Sequence, residues 1–185
     1  MRTMLRMSLL VAAALPLLAY GGEKGEAAKG ESKASRQRIV RSWPEPVTVD
    51  GKTALGRVEI AFDYDEGVAI ERVISADGKV VSTVVRKKGE GAPRPTPEEI
   101  EEAKDMVRAD AEIARIIDQA SAQLEGGFIL NEAAGQPCGP GTRCIQVQVL
   151  TQDRLGFIRW VVVDLTKDSI AYRTYMPSSG AGETK

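Results

Sequence analysis

The chain has 185 residues, with 25 Lys and Arg against 26 Asp and Glu and a formal net charge of −1. That balance gives no electrostatic case for a nucleic-acid partner. No histidine is present, which removes the commonest general base and the usual Ser-His and Cys-His nucleophile pairs.

Arg2 and Arg6 precede an apolar run from Ser8 to Ala19, and small residues follow at Ala19, Gly21 and Gly22. The run is short for a bilayer span of about 20 residues and suits a secretory signal over residues 1–21. The alternative is a buried N-terminal helix or a permanent anchor. Leu17-Leu18-Ala19-Tyr20-Gly21-Gly22 resembles a lipoprotein signal, with Tyr20 where the lipid-modified Cys belongs. The resemblance implies a bacterial, exported protein, periplasmic, secreted or outer-surface. It also implies a relative released rather than anchored, because lipidation needs the Cys.

Residues 22–38 hold no aromatic or branched apolar side chain and read as a flexible polar leader. Arg36, Arg38 and Arg41 make its end basic. They form a solvated patch or touch anionic lipid, so membrane contact is expected only through the signal or this leader. Trp43, in Ser42-Trp43-Pro44-Glu45-Pro46, either pins the start of the domain or docks on a partner. The expected domain is single and spans residues 39–176.

Val58, Ile60, Phe62 and Tyr64 alternate with polar or small residues, which predicts a strand with one buried face. Further strands are expected over 68–75 and 80–86, joined at Ala76-Asp77-Gly78-Lys79 by a hairpin turn. After a Gly/Pro-broken connection, Thr96-Pro97-Glu98-Glu99 opens a helix: Thr96 caps, Pro97 suits the first turn, and Glu99 completes a capping box. Glu98, Glu99, Glu101 and Glu102 suit the positive end of the helix dipole as a solvated start, the alternative being an acidic binding surface. Met106, Ile113, Ile117, Ala120 and Leu124 form an apolar stripe on which Asp110 would intrude. A buried unpaired carboxylate is costly. The pattern therefore predicts a break near Ala109, with Asp110 capping a second helix from Ala111; the alternative is one long helix with Asp110 at its margin. Glu101–Lys104, Asp105–Arg108, Glu112–Arg115 and Arg115–Asp118 are spaced to pair on a solvated face.

Gly126-Gly127 is expected to stop the helix, and Phe128–Asn131 to form a short strand. Cys138 and Cys144 enclose Gly-Pro-Gly-Thr-Arg. In an exported chain such a pair reads as a disulfide. Paired functional thiols, or a metal site lacking most of the four ligands zinc needs, are the alternatives. Strands are expected over 144–150, 157–164 and 169–175, and a frayed tail over 177–185. Strands, helix, then strands give an α+β domain, an antiparallel sheet packed on one helical layer.

The segment from Pro95 to Arg173, which runs Thr-Pro-Glu-Glu-Ile, a helix, Gly126-Gly127 and then strands ending in Trp160-Val-Val-Val-Asp-Leu-Thr-Lys-Asp-Ser-Ile-Ala-Tyr172, resembles the small non-catalytic N-terminal domains of copper amine oxidases. It also resembles cystatin-like and PepSY-like domains. The likeness covers under half the chain and implies a two-layer architecture without an active site.

Asp63, Asp65 and Glu66 cluster at a turn without forming an EF-hand loop. Phe157, Trp160, Tyr172 and Tyr175 are either core and cross-strand pairs or the lining of a ligand cleft. The candidate contacts for a protein or small-molecule partner are Trp43, Trp160 and Tyr172; no catalytic residue, metal ligand or cofactor is expected. The sequence therefore points to a non-catalytic binding or interaction module of the cell envelope. Alternatives are a protease-inhibitor or propeptide-like domain and, more remotely, a carboxylate-dependent hydrolase.

Overall fold

The computed structural model describes residues 36–176. The expected signal with Tyr20, all but the last three residues of the leader, and the tail from 177 lie outside the described residues. Ten elements follow in order: β1 (Gln37–Val49), β2 (Lys52–Asp63), β3 (Val68–Ile74), β4 (Val80–Val85), α1 (Pro97–Ala109), α2 (Ala111–Ala120), β5 (Gln123–Leu130), β6 (Cys144–Leu150), β7 (Phe157–Asp164) and β8 (Ser169–Tyr175).

The class is α+β, but the expected single sheet is two. β1-β2-β3-β4 and β5-β6-β7-β8 are separate four-stranded antiparallel meanders. Each strand pairs only with its hairpin neighbours, and the helices intervene between β4 and β5. All six residues of β4 are exposed, so it ends the first sheet and does not bridge to the second.

β1 was not among the expected strands, and it carries Pro44 and Pro46, which lack the N–H that a ladder needs. It is an edge strand, where proline is tolerated, and it pairs with β2 over nearly its whole length. Asp50 and Gly51, both at positive φ, make the two-residue turn that joins them. The basic residues at its start are not a free patch. Arg36 Nη2 donates to the Leu165 carbonyl at 2.6 Å and Arg38 Nη2 to Glu102 at 2.7 Å, while Arg41 lies 5.1 Å over the Trp43 ring.

The helical break falls where the pattern placed it. Asp110 ends α1 and caps α2, accepting from the Glu112 and Ile113 N–H groups at 3.1 Å each. Its other oxygen accepts from Arg173 on β8 at 2.9 Å. The Glu101–Lys104 and Asp105–Arg108 pairs form, at 2.7 and 2.6 Å. Arg115 instead reaches the Ala111 carbonyl, and Glu112 pairs with Arg159.

Helix termination differs from expectation. Ser121, in the left-handed region at φ 47°, ends α2 by donating its N–H to Ile117 and Asp118. Gly126-Gly127 lies inside β5, where α1 crosses the sheet closely: a Cβ at Gly126 would sit 3.0 Å from Ile100. Leu124 leaves the helical stripe for the strand but still packs on the same core.

That core lies between the helices and one face of the second sheet. Ala103 and Val107 of α1 and Ile113 of α2 meet Ile145, Val147 and Val149 of β6 and Val161 and Val163 of β7. Phe62 and Tyr64, from the end of β2, close it. The period of two then sends Cys144, Gln146 and Gln148 of β6 to the opposite face.

Candidate functional site

A buried polar network on the helix side of the second sheet fixes the start of β6. Thr96 and Glu99 form the capping box, the Thr96 N–H donating to Glu99 at 2.8 Å and the Glu99 N–H to Thr96 Oγ1 at 3.2 Å. Glu99 was expected on a solvated helix start, yet its side chain is wholly buried. Arg143 donates to it from Nε at 2.8 Å and Nη2 at 2.7 Å, and the Tyr64 hydroxyl donates to the same carboxylate. Arg143 is equally buried, donates further from Nη1 to the Pro93 carbonyl and from Nη2 to the Arg94 carbonyl, and stacks 5.0 Å from Phe62. Burial alone would raise the Glu99 pKa, but the Arg143 hydrogen bonds and charge, joined by Tyr64 and Thr96, hold it below the usual value. Burial, then the bond to Glu99, pushes the Tyr64 hydroxyl well up. With both Glu99 oxygens and all three Arg143 nitrogens engaged, this is a positioning device: it ties the end of β2, α1 and the residue just before Cys144 together.

Cys138 and Cys144 form the disulfide, with Cα atoms 5.7 Å apart. Both are buried against Val162, with Leu130, Ala171, Tyr172 and Tyr175 around them. The loop therefore caps one end of the outer face of the second sheet. Gly67 buttresses it from the β2–β3 turn, so close to Gly141 that a Cβ would lie 2.1 Å from the Gly141 carbonyl oxygen.

Beyond the loop the face is aromatic. The chain has three Phe, two Trp and four Tyr, and five of these gather here. Phe157 and Trp160 meet edge to face at 5.1 Å, Trp160 is the cross-strand partner of Tyr175, and Tyr175 lies 5.4 Å from Tyr172. Phe128, opposite Gln146, extends the surface and is 63% exposed; Phe157 is 55% exposed. The Trp160 indole N–H has no hydrogen-bond partner among the described residues.

At the Tyr172 end a hollow of about 630 Å3 opens, lined by Asn131, Glu132, Gln136, Tyr172, Thr174 and Tyr175, with Ala133 and Met176 at its margin. Glu132 Oε2 accepts from the Tyr172 hydroxyl at 2.8 Å and from the Cys138 N–H at 3.1 Å. Partial burial, then this hydrogen bond and the carboxylate charge, push the Tyr172 hydroxyl up to about 12. A larger hollow, about 780 Å3, runs beside Pro97, Glu101, Glu102, Asp105 and Met106. One helix alone lines it, and Glu101, Glu102 and Asp105 are already paired with Lys104, Arg38 and Arg108, so it is a helix flank rather than a built site.

Of the expected contacts, the structure brings Trp160 and Tyr172 onto one face and leaves Trp43 out. Trp43 sits on β1 opposite Val58, its indole N–H donating to Glu45 at 3.2 Å. Phe128, Glu132 and the outward Gln146 and Gln148 were not singled out from the sequence. The alternation of β6 was a signal for the glutamines; Glu132 joins only through folding of the disulfide loop. The acidic turn at Asp63 is structural, its Oδ1 accepting from the Asp65 and Glu66 N–H groups. Among the described residues no group of three or more His, Cys, Asp or Glu is placed to hold a metal, and no helix is long and apolar enough to cross a membrane.

No protein-family model matches the chain, and no curated protein matches it either.

Proposed function

We propose that the protein is a non-catalytic binding module of the bacterial cell envelope and that it binds through the outer face of the second sheet. The observation that carries this reading is the aromatic row Phe157, Trp160, Tyr175 and Tyr172, half or more exposed at one end and ending in a polar hollow. Exposed apolar surface beside a few fixed polar groups is the usual form of a recognition site. The absence of histidine from the sequence and the engagement of Glu99, Asp63 and Asp110 in caps, turns and ion pairs support a binding role over a catalytic one. Export is proposed from the basic, apolar and small-residue order of the first residues, and the disulfide is compatible with it.

The likeness to copper amine oxidase N-terminal domains and to cystatin-like and PepSY-like domains remains a proposal about architecture. Its support is the second half of the chain, where two helices cross one face of a four-stranded antiparallel sheet. It transfers no activity.

Hydrogen–deuterium exchange on the purified mature protein, with and without fractionated envelope extract, tests the reading. Protection of β7, β8 and the 131–138 loop by at least one fraction is the expected result. Protection confined to other elements would overturn it. Mass spectrometry of the N-terminus with thiol alkylation tests export: a cleaved signal and no free thiol are expected.

A further inference from the structure

We propose that this outer face binds a neutral glycan, with sugar rings lying on Phe157, Trp160 and Tyr175 and the hydroxyls of one ring seated in the hollow beside Tyr172. This rests on the outer face being the binding surface and names what it takes.

The chemistry of the lining narrows the ligand. A pyranose ring presents a flat face of C–H bonds and a belt of hydroxyls that both donate and accept. The aromatic rings, with centroids 5.1 and 5.4 Å apart at two steps and planes tilted by 66° and 53°, offer successive sugar rings separate faces to lie against rather than one flat plane. Asn131 and Gln136 carry side-chain amides, which donate and accept as hydroxyls require. Gln146 and Gln148 repeat that chemistry along β6, on the same side as Trp160. Glu132 is held by two donors at Oε2, and among the described residues no donor to Oε1 is present, so Oε1 can accept from a ligand.

The same lining disfavours other classes. Among the described residues the hollow is lined by no Lys or Arg and by one carboxylate, that of Glu132, so phosphate-bearing and acidic ligands find no counter-charge there. A wholly apolar ligand would strip water from the amides and the carboxylate without replacing those hydrogen bonds. A sugar satisfies both groups at once. The platform is also ready before binding: the disulfide fixes the loop that carries Glu132, and the Tyr172 hydroxyl fixes the carboxylate, which lowers the ordering cost of association.

The test uses the full mature protein carrying Trp43→Phe, so that Trp160 is the only tryptophan fluorophore. Chitotetraose, cellotetraose and maltotetraose are titrated separately and followed by fluorescence and by amide chemical shifts. A saturable response from at least one of them, mapping to β7, β8 and residues 131–136, is expected. Glu132→Gln and Phe157→Ser each weaken it about tenfold while leaving the thermal unfolding midpoint within a few degrees. No shift at these positions with any glycan overturns the proposal. If a proline-rich peptide shifts the same resonances and no glycan does, the glycan class fails while the outer face stands. If envelope fractions protect none of these residues, the underlying binding reading fails as well.

Discussion

The Glu99 carboxylate takes two hydrogen bonds from Arg143, at 2.8 and 2.7 Å, and neither side chain has any exposed surface. The two residues lie 44 positions apart, on either side of the helix–sheet interface. A buried ion pair contributes little net stability over an apolar pair of the same shape, but stranding one member is costly. Arg143→Met should therefore destabilise the protein by about 3–5 kcal/mol, measured by urea unfolding. Adding Glu99→Leu to that variant should recover part of the loss, since the stranded carboxylate is then gone. A double variant less stable than the single one would contradict this account.

The same pair sets an acid limit. The folded-state pKa of Glu99 lies below its ordinary value, so the folded state binds that proton less readily than the unfolded chain. Its contribution is complete above the unfolded value of about 4.3 and is lost as pH falls through the folded value. Below about pH 4.3 the wild type should lose stability more steeply than Glu99→Gln, which has no proton to gain. Parallel slopes in acid denaturation would refute the assignment.

Tyr172 should titrate late. Its hydroxyl is pushed up to about 12 by partial burial and by Glu132, against about 10 for a free tyrosine. Ultraviolet titration should resolve this ionisation, and Glu132→Gln should move it down toward the ordinary value. An unchanged titration in that variant would show that Glu132 does not hold the ring in solution.

Gly67 has φ +67°, and its missing Cβ makes room for the Gly141 carbonyl. Gly67→Ala should cost more than the ~1 kcal/mol typical of forcing a side chain into the left-handed region, because backbone must also move. Exchange protection should fall in the 139–142 loop as well as in the β2–β3 turn. A change confined to the turn would mean the two do not support each other.

Removing the disulfide by Cys138→Ser with Cys144→Ser should destabilise by about 2 kcal/mol on the chain-entropy model for so short a ring. It should also loosen the hollow, since Glu132 accepts from the Cys138 N–H. Loss of stability without any change in the Tyr172 ionisation would separate the two effects.

Much of the local structure was legible because it depends on residues close in sequence. Thr96 and Glu99 cap α1, Asp110 breaks the helix and restarts it, and β6, β7 and β8 run where alternating or β-rich segments begin and end. The misreadings have local causes too. β1 was missed although Asp50-Gly51 carries a hairpin signal, and Gly126-Gly127 looked like a helix stop but lies in β5 where it admits Ile100.

The candidate site was half legible. Trp160 and Tyr172 could be singled out as aromatics on strands, and their neighbours Phe157 and Tyr175 with them. That they face one way with Phe128 and Glu132, while Trp43 does not, depends on strand register and on where the disulfide loop closes. The sequence by itself determined the elements, the caps, the break at Asp110 and the cysteine pair, because these follow from hydrogen bonds and periodicities spanning a few residues. Only the tertiary structure decided that there are two sheets, that Glu99 is buried by Arg143, and which face is left to aromatics. Those outcomes are set by pairings across tens of residues, where burial and charge compensation choose among partners that local pattern leaves equivalent.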